Sequence, residues 1–319
     1  MNRRGLLALG ALTFLAACGG GAGADTYTLH VASQRGGTKA VMLASHALDG
    51  APYQVVWSEF PAAQPLLEAI GGGAVDVGLV GDAPFMFAYQ SGSRIKAVGA
   101  QYVRERPREG LALVVPAASS AHSLTDLKGR KIATTRGSIG HHLVIRALAD
   151  AHLPPDWVSF AFLPPGDAKA AFSSGAVDGW AIWSPYLPVA LKEKARIIVD
   201  GHDLVTGYGF EVANEDAIAT KPALLADFLK REAKALDWAR AHPDAYAAMM
   251  AKETGLRLDI AQDYARKNRR VVVPIDDAVI ADQQRVLDDF RNSGAIAGTR
   301  PLAAGFDRDL ATTRIAVRQ

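Results

Sequence analysis

The sequence predicts an α/β protein built as two similar lobes, on three observations. Apolar strand patterns alternate with short helical patterns through most of the chain, the signature of strand–helix–strand units with a largely parallel sheet. One segment, GAVDVGLVGDAPF (Gly73–Phe85), returns as GAVDGWAIWSPY (Gly175–Tyr186), 102 positions later. After about Asn214 the pattern changes to long helices with polar faces. A length of 319 residues suits two lobes, and 49% hydrophobic with 21% charged residues excludes a disordered chain.

The N-terminus stands apart. MNRRGLLALGALTFLAAC (residues 1–18) has a basic start, an apolar run and small residues, the layout of an export signal. The run is too short to span a bilayer. LAAC (Leu15–Cys18) resembles the lipobox of bacterial lipoproteins, in which the cysteine is lipidated. Cys18 is the only cysteine of the chain, so it has no internal disulfide partner. The expectation is a lipid anchor at Cys18, a flexible tether over residues 19–25, and a protein held at a membrane surface outside the cytoplasm. Loss of Arg3 and Arg4 with the leader takes 35 basic side chains to 33, level with the 33 acidic ones. That balance gives no reason to expect nucleic acid. The most basic cluster, RKNRR (Arg266–Arg270), reads as a solvated face between helices.

The elements follow in order. TYTLHVA (Thr26–Ala32) alternates as a strand, SQRGGT is a loop, and KAVMLASHALDG is a helix closed by Gly50. YQVVWSEF, QPLLEAIGGG and AVDVGLV read as strand, helix and strand. The same succession restarts with the strand of DLKGRKIATT, the helix after Ser138, the helix DAKAAFSSG and the strand AVDGWAI. The expected lobes are residues 26–112 with 213–319, and residues 113–212, joined by a hinge near Leu111–Pro116 and Phe210–Asn214. In such sheets ligands bind beyond the carboxyl ends of the strands, which singles out Ser33–Thr38, Glu59–Gln64 and Gly81–Pro84.

TTRGSIGHHLVIRAL (Thr134–Leu148) carries the sharpest chemical question. A nucleophile elbow requires Gly-x-Ser-x-Gly, but Gly137 directly precedes Ser138. Adjacent His141 and His142 point about 100° apart on a helix, which suits no metal site. A Gly-Ser turn opening a helix leaves free N–H groups at the positive end of the dipole, an anion site to which Ser138 and a histidine can add donors. N-capping by Ser138 alone explains the same residues, and both readings stay open here. GDAPF is the matching loop of the first lobe, with further N–H groups expected from a helix after Pro84. Trp183 takes the position equivalent to Gly81 and can wall an organic group or pack in the core. Asp76 and Asp178 recur identically and read as turn structure.

Taken together, QRGG (Gln34–Gly37), WSEFPAAQPLLEAIGGGAVDVGLVGDAP, LKGRKIATTRGSIGHHL, LPPGDAKAAFSSGAVDGWAIWSPY, AHPDAYAAMMAKETGL and PIDDAVIADQQRVLDDFRNSGAI resemble, in this order, the aliphatic-sulfonate and taurine family of ABC-importer substrate-binding proteins. The resemblance spans nearly the whole mature chain. It implies a type II periplasmic-binding-protein fold and a sulfonate held between the lobes by main-chain amides and small polar groups. It points to Gln34, Gly81, Asp82, Ala83, Ser138, Ile139, His141 and Trp183, with Glu59 and Tyr208 on the cleft rim. Many members carry an aspartate where this chain has Ser184 in WSPY, which favours an organic group without a positive charge.

The resulting expectation is a monomeric, lipid-anchored periplasmic receptor for an organosulfonate, without cofactor, metal or chemistry, serving an ABC permease and its ATPase. Alternatives within the binding class are nitrate, bicarbonate, aromatic sulfonates, sulfate esters and pyrimidine precursors. A cofactor-biosynthesis enzyme on the same fold and a sensor input module are the alternatives outside it.

Overall fold

The computed structural model describes residues 27–34, 37–105 and 110–313. The expected leader 1–18, its Cys18 and the tether 19–25 lie outside these, as do Arg35 and Gly36 of the first loop. The chain opens with β1 (Thr28–Gln34), α1 (Thr38–Ala44), β2 (Gln54–Phe60), α2 (Ala63–Gly71), β3 (Val77–Gly81), α3 (Asp82–Gln90) and β4 (Ile95–Val103). It then builds β5 (Leu111–Val115), β6 (Lys131–Thr134), α4 (Ile139–Asp150), β7 (Ser159–Phe162), α5 (Pro165–Ser173), β8 (Gly179–Trp183), α6 (Tyr186–Lys192) and β9 (Arg196–Asp200). It closes with β10 (Gly209–Asn214), α7 (Glu215–Thr220), α8 (Pro222–Ala241), α9 (Pro243–Thr254), α10 (Leu258–Lys267), β11 (Arg270–Val273), α11 (Asp277–Asn292) and α12 (Arg308–Thr313).

The strands form two sheets, ordered β11-β4-β10-β3-β1-β2 and β7-β6-β8-β5-β9. Each contains a parallel trio, β2-β1-β3 and β7-β6-β8. In each, the fourth strand is antiparallel and arrives from the other lobe: β10 beside β3, β5 beside β8. The expected boundaries at 112 and 212 therefore move. Ala112 pairs with Ile182 inside the second sheet, and Val212 pairs with Gly78 inside the first. The chain crosses between β4 and β5 and again between β9 and β10, just before each expected hinge segment, because both of those segments are paired strands.

The repeat seen in the sequence is a structural one. Val77 opens β3 and Gly179, 102 positions on, opens β8. Ahead of each strand an aspartate ties it to its neighbour. The His30 amide donates to Asp76 Oδ2 at 2.8 Å, and the Lys131 amide donates to Asp178 Oδ2 at 2.9 Å. The aspartates' own amides donate back to the carbonyls of His30 and Lys131. A cation completes each clasp, Lys221 on Asp76 and Arg130 on Asp178.

Packing follows the apolar pattern. The parallel strands are buried on both faces, as continuous apolar runs such as Leu29–Ala32 and Val77–Val80 require. α2 lays Leu66, Leu67 and Ile70 on one face of the first sheet, and α8 lays Leu225, Phe228 and Leu229 against Leu29, Val31 and Val77 on the other. Each such side chain stabilises by about 1.5–3 kcal/mol on burial. α1 ends at Ala44 rather than Gly50, because the chain turns through His46 at φ 55°. α11 spans the lobes: Leu287 and Phe290 pack with Phe85 and Met86, while Asp289 meets His142 of α4 at 2.9 Å. No helix among the described residues is long and apolar enough to cross a membrane.

Candidate ligand-binding site

The carboxyl ends of the parallel strands of both sheets open onto one cleft of about 410 Å³, within the usual size of a small-molecule site. Gln34, Pro61–Gln64 and Gly81 border it from the first lobe; Thr135–Ile139, Pro165 and Trp183–Tyr186 border it from the second. The returning segment from Gly201 to Gly209 forms its back.

The first turn of α4 is its main polar feature. Gly137 adopts φ +65°, which lets the backbone turn sharply into the helix. Ser138 is the N-cap: its Oγ accepts from the His141 amide at 3.2 Å and lies 3.3 Å from Thr134 Oγ1. The amides of Ile139 and Gly140 have no partner among the described residues. They lie at the positive end of a 12-residue helix that opens at the cleft edge, so the cap and the anion site coexist. Gly140 allows the helix to sit this close to β8, since a Cβ there would lie 2.6 Å from the Ala181 carbonyl oxygen.

The two histidines are not donors to this space. His141 is buried among Phe87, Phe160, Phe162 and Phe290, and its Nδ1 accepts the Gly137 amide at 3.2 Å. Burial, then the positive charges of Arg136 and His142, push its pKa down to about 4, so it is neutral at pH 7. His142 Nε2 is held by Asp289.

The matching loop on the first lobe is arranged differently from the sequence expectation. α3 begins at Asp82, not after Pro84. The Asp82 amide donates to the Tyr208 carbonyl at 3.0 Å, the Ala83 amide donates to Asp82 Oδ1 at 2.8 Å, and Pro84 has no N–H. These groups offer no main-chain donor. Asp82 Oδ2 accepts from the Tyr208 amide at 3.2 Å, so this carboxylate fixes the returning segment. Burial raises the Asp82 pKa, against the opposing pull of His142, the Ala83 and Tyr208 amides and Gln283.

Of the ten expected ligand residues, Gln34, Gly81, Asp82, Ser138, Ile139, Trp183 and Tyr208 line the cleft. Ala83 is fully buried behind it and His141 sits beneath the α4 turn. Glu59 is an outward rim residue paired with Lys39, which also holds Glu253 at 2.8 Å. Trp183 and Ile139 from the second lobe, Leu79 from the first and Tyr208 from the returning segment give the cleft its apolar surface. Gln34 donates its side-chain amide to the Leu79 carbonyl at 3.1 Å.

The RKNRR cluster corrects a sequence expectation. Arg266 is solvated and paired with Asp244, but Lys267, Asn268 and Arg270 line the cleft. The edge pairing of β11 with β4 brings Arg270 opposite Val103, another lining residue. Among the described residues Arg136, Lys267 and Arg270 are the lining cations, Lys267 being paired with Asp263 at 3.0 Å, and Asp82 is the lining carboxylate, its oxygens already accepting main-chain amides. Arg136 and Arg270, neither ion-paired among the described residues, tilt the lining charge toward an anion.

Residues 60–246 match the family model described as NMT1/THI5 like. The chain belongs to this family. A relative from Escherichia coli strain K12 named for aliphatic sulfonate binding is 33% identical over 82% of this chain and 83% of its own length. The solved alkanesulfonate-binding protein SsuA from Xanthomonas axonopodis pv. citri, bound to MOPS, superposes with a TM-score of 0.81 at 27% identity, covering 88% of this chain and 98% of that one. The periplasmic aliphatic sulphonate binding protein SsuA from Escherichia coli superposes with a TM-score of 0.72 at 30% identity, covering 85% and 88%. The family member described here thus has the periplasmic-binding-protein fold expected from its sequence.

Proposed function

We propose that this chain is the solute receptor of an ABC importer and takes an organic sulfonate between its lobes. The observation that carries the reading is the α4 first turn, which lines the cleft through Ile139 and leaves the Ile139 and Gly140 amides unpaired among the described residues. The sulfonate oxygens accept from these amides and from the Ser138 hydroxyl, and the organic part lies on Trp183 and Tyr208. The names of the relatives, and the sulfonate buffer MOPS held by one of them, support this ligand class. Binding rather than catalysis fits the polar groups. The partners of Ser138 Oγ are the His141 main-chain amide and the Thr134 hydroxyl, and no imidazole nitrogen is bonded to it.

In this reading the receptor closes about its two chain crossings. Cys18 carries the lipid that keeps it, as a monomer, on the periplasmic face of a membrane beside the permease. A thermal-shift panel on protein lacking residues 1–18 tests the ligand class with alkanesulfonates, aromatic sulfonates, taurine, sulfate, nitrate and a pyrimidine. A bound ligand raises the melting temperature by mass action. A rise with sulfonates is expected; a rise only with nitrate or the pyrimidine would transfer the cleft to another ligand.

A further inference from the structure

The cleft contains a second group prepared for negative charge, and none of the sulfonate contacts proposed above involves it. Arg270 lines the cleft, and its Nη1 is buried without a hydrogen-bond partner. Among the described residues its guanidinium makes no ion pair; the Tyr264 hydroxyl, also on the cleft wall, is its polar neighbour. A desolvated donor of this kind is unfavourable until something accepts from it. Asn268 and Lys267 border the cleft beside it, the latter also held by Asp263 at 3.0 Å.

The two positive points flank the same short stretch of backbone. A Cβ on Gly207 would lie 2.8 Å from Ile139 Cδ1, at the α4 turn. A Cβ on Gly209 would lie 2.7 Å from Arg270 Nη1. Gly207 turns at φ +70°, and the two residues from it to Gly209 span at most about 7 Å. That separation exceeds one sulfonate group but suits a short molecule with an acidic group at each end. Among the described residues the one lining carboxylate, Asp82, already accepts from the Ala83 and Tyr208 amides and is poorly placed to take a positively charged end.

We infer that Arg270 is a second anion-recognition point, and that the receptor prefers short organic sulfonates bearing a carboxylate at the far end. The inference rests on the sulfonate reading above. Arg270 provides the flat, multiply donating fork that a carboxylate fits. Ligands with one to three carbons between sulfonate and carboxylate match the spacing.

Calorimetry with sulfoacetate, 3-sulfopropanoate, propanesulfonate and taurine tests it. The wild-type protein is expected to bind the sulfo-carboxylates at least tenfold more tightly than propanesulfonate, with taurine weakest. Arg270→Met is expected to bring the ratio close to one, and Arg270→Lys to restore part of it. Equal wild-type affinity for propanesulfonate and the sulfo-carboxylates overturns the inference while the sulfonate reading stands. An unchanged ratio in Arg270→Met, with both affinities falling alike, also overturns it, because Arg270 would then serve the shared sulfonate. Absence of binding to every sulfonate overturns both readings. The wild-type ranking decides the matter even if Arg270→Met fails to fold.

Discussion

Replacing Gly140 by alanine should separate the anion site from the rest of the cleft. The added Cβ would lie 2.6 Å from the Ala181 carbonyl oxygen and 2.7 Å from Thr134 Oγ1, whereas ordinary contact begins at 3.4 Å. The Ala181 oxygen belongs to β8, in the middle of its sheet, so the α4 turn is what moves, by about 0.8 Å. Amides placed about 2.9 Å from a sulfonate oxygen then stand near 3.7 Å, beyond bonding distance. Two hydrogen bonds to a charged group, at about 1.5–3 kcal/mol each, are weakened together. A loss of about 3 kcal/mol, roughly a hundredfold in Kd, is expected. Overpacking also costs about 1–3 kcal/mol of stability, so the melting curve must be recorded alongside calorimetry with an alkanesulfonate. Gly166→Ala is the control, because a Cβ there meets nothing within 4 Å. A Gly140→Ala protein that binds within threefold of wild type would show that the α4 amides do not hold the ligand.

Three further outcomes are expected. Trp183→Ala should weaken octanesulfonate about tenfold, an apolar contact worth roughly 1–2 kcal/mol, and barely affect methanesulfonate; equal losses in calorimetry would remove Trp183 from the organic subsite. His141 has a folded pKa near 4 against the ordinary 6.5 of an exposed histidine, so its contribution is complete above pH 6.5 and is lost as pH falls toward 4. His141→Asn keeps an acceptor for Gly137 without titrating; relative to it, the wild type should lose up to about 3 kcal/mol across that window, and parallel pH–stability curves would contradict the assignment. Asp76→Ala should cost about 3 kcal/mol in urea unfolding, because it strands the mostly buried Lys221. Asp178→Ala, whose partner Arg130 is largely exposed, should cost about 1 kcal/mol, and changed ligand affinity in either variant would contradict their structural role.

Much of this architecture was legible because local chemistry encodes it. Gly-Ala-Val-Asp before an apolar run specifies turn, clasp and strand at both Asp76 and Asp178, and the duplicated fold follows. Ser138 announced a helix start that the structure confirms as an N-cap. Three features depend on partners distant in sequence. Arg270 reads as part of a charge run, and only the pairing of β11 with β4 brings it to the cleft. Asp82 looked like a ligand donor loop, yet Tyr208, 126 positions away, takes its amide and donates to its carboxylate. His141 looked like a donor to the ligand, yet the loop beneath it uses the ring as an acceptor. The expected hinge positions were close but late, since the pattern of an apolar strand does not say which sheet receives it.

The late return of β10 to the first sheet has a kinetic consequence. The second sheet draws all five of its strands from residues 111–200, so it can assemble from one continuous stretch. The first cannot. β10 separates β3 from β4, and its Val212 pairs with Gly78, 134 positions back along the chain. Closing so long a loop is slow compared with the local steps of the second lobe. The lobe that begins first along the chain is therefore completed last. Until residue 209 is available, β3 and β4 each present an open edge, and such edges seed aggregation. A chain halted before that point is the form a holding chaperone must shield.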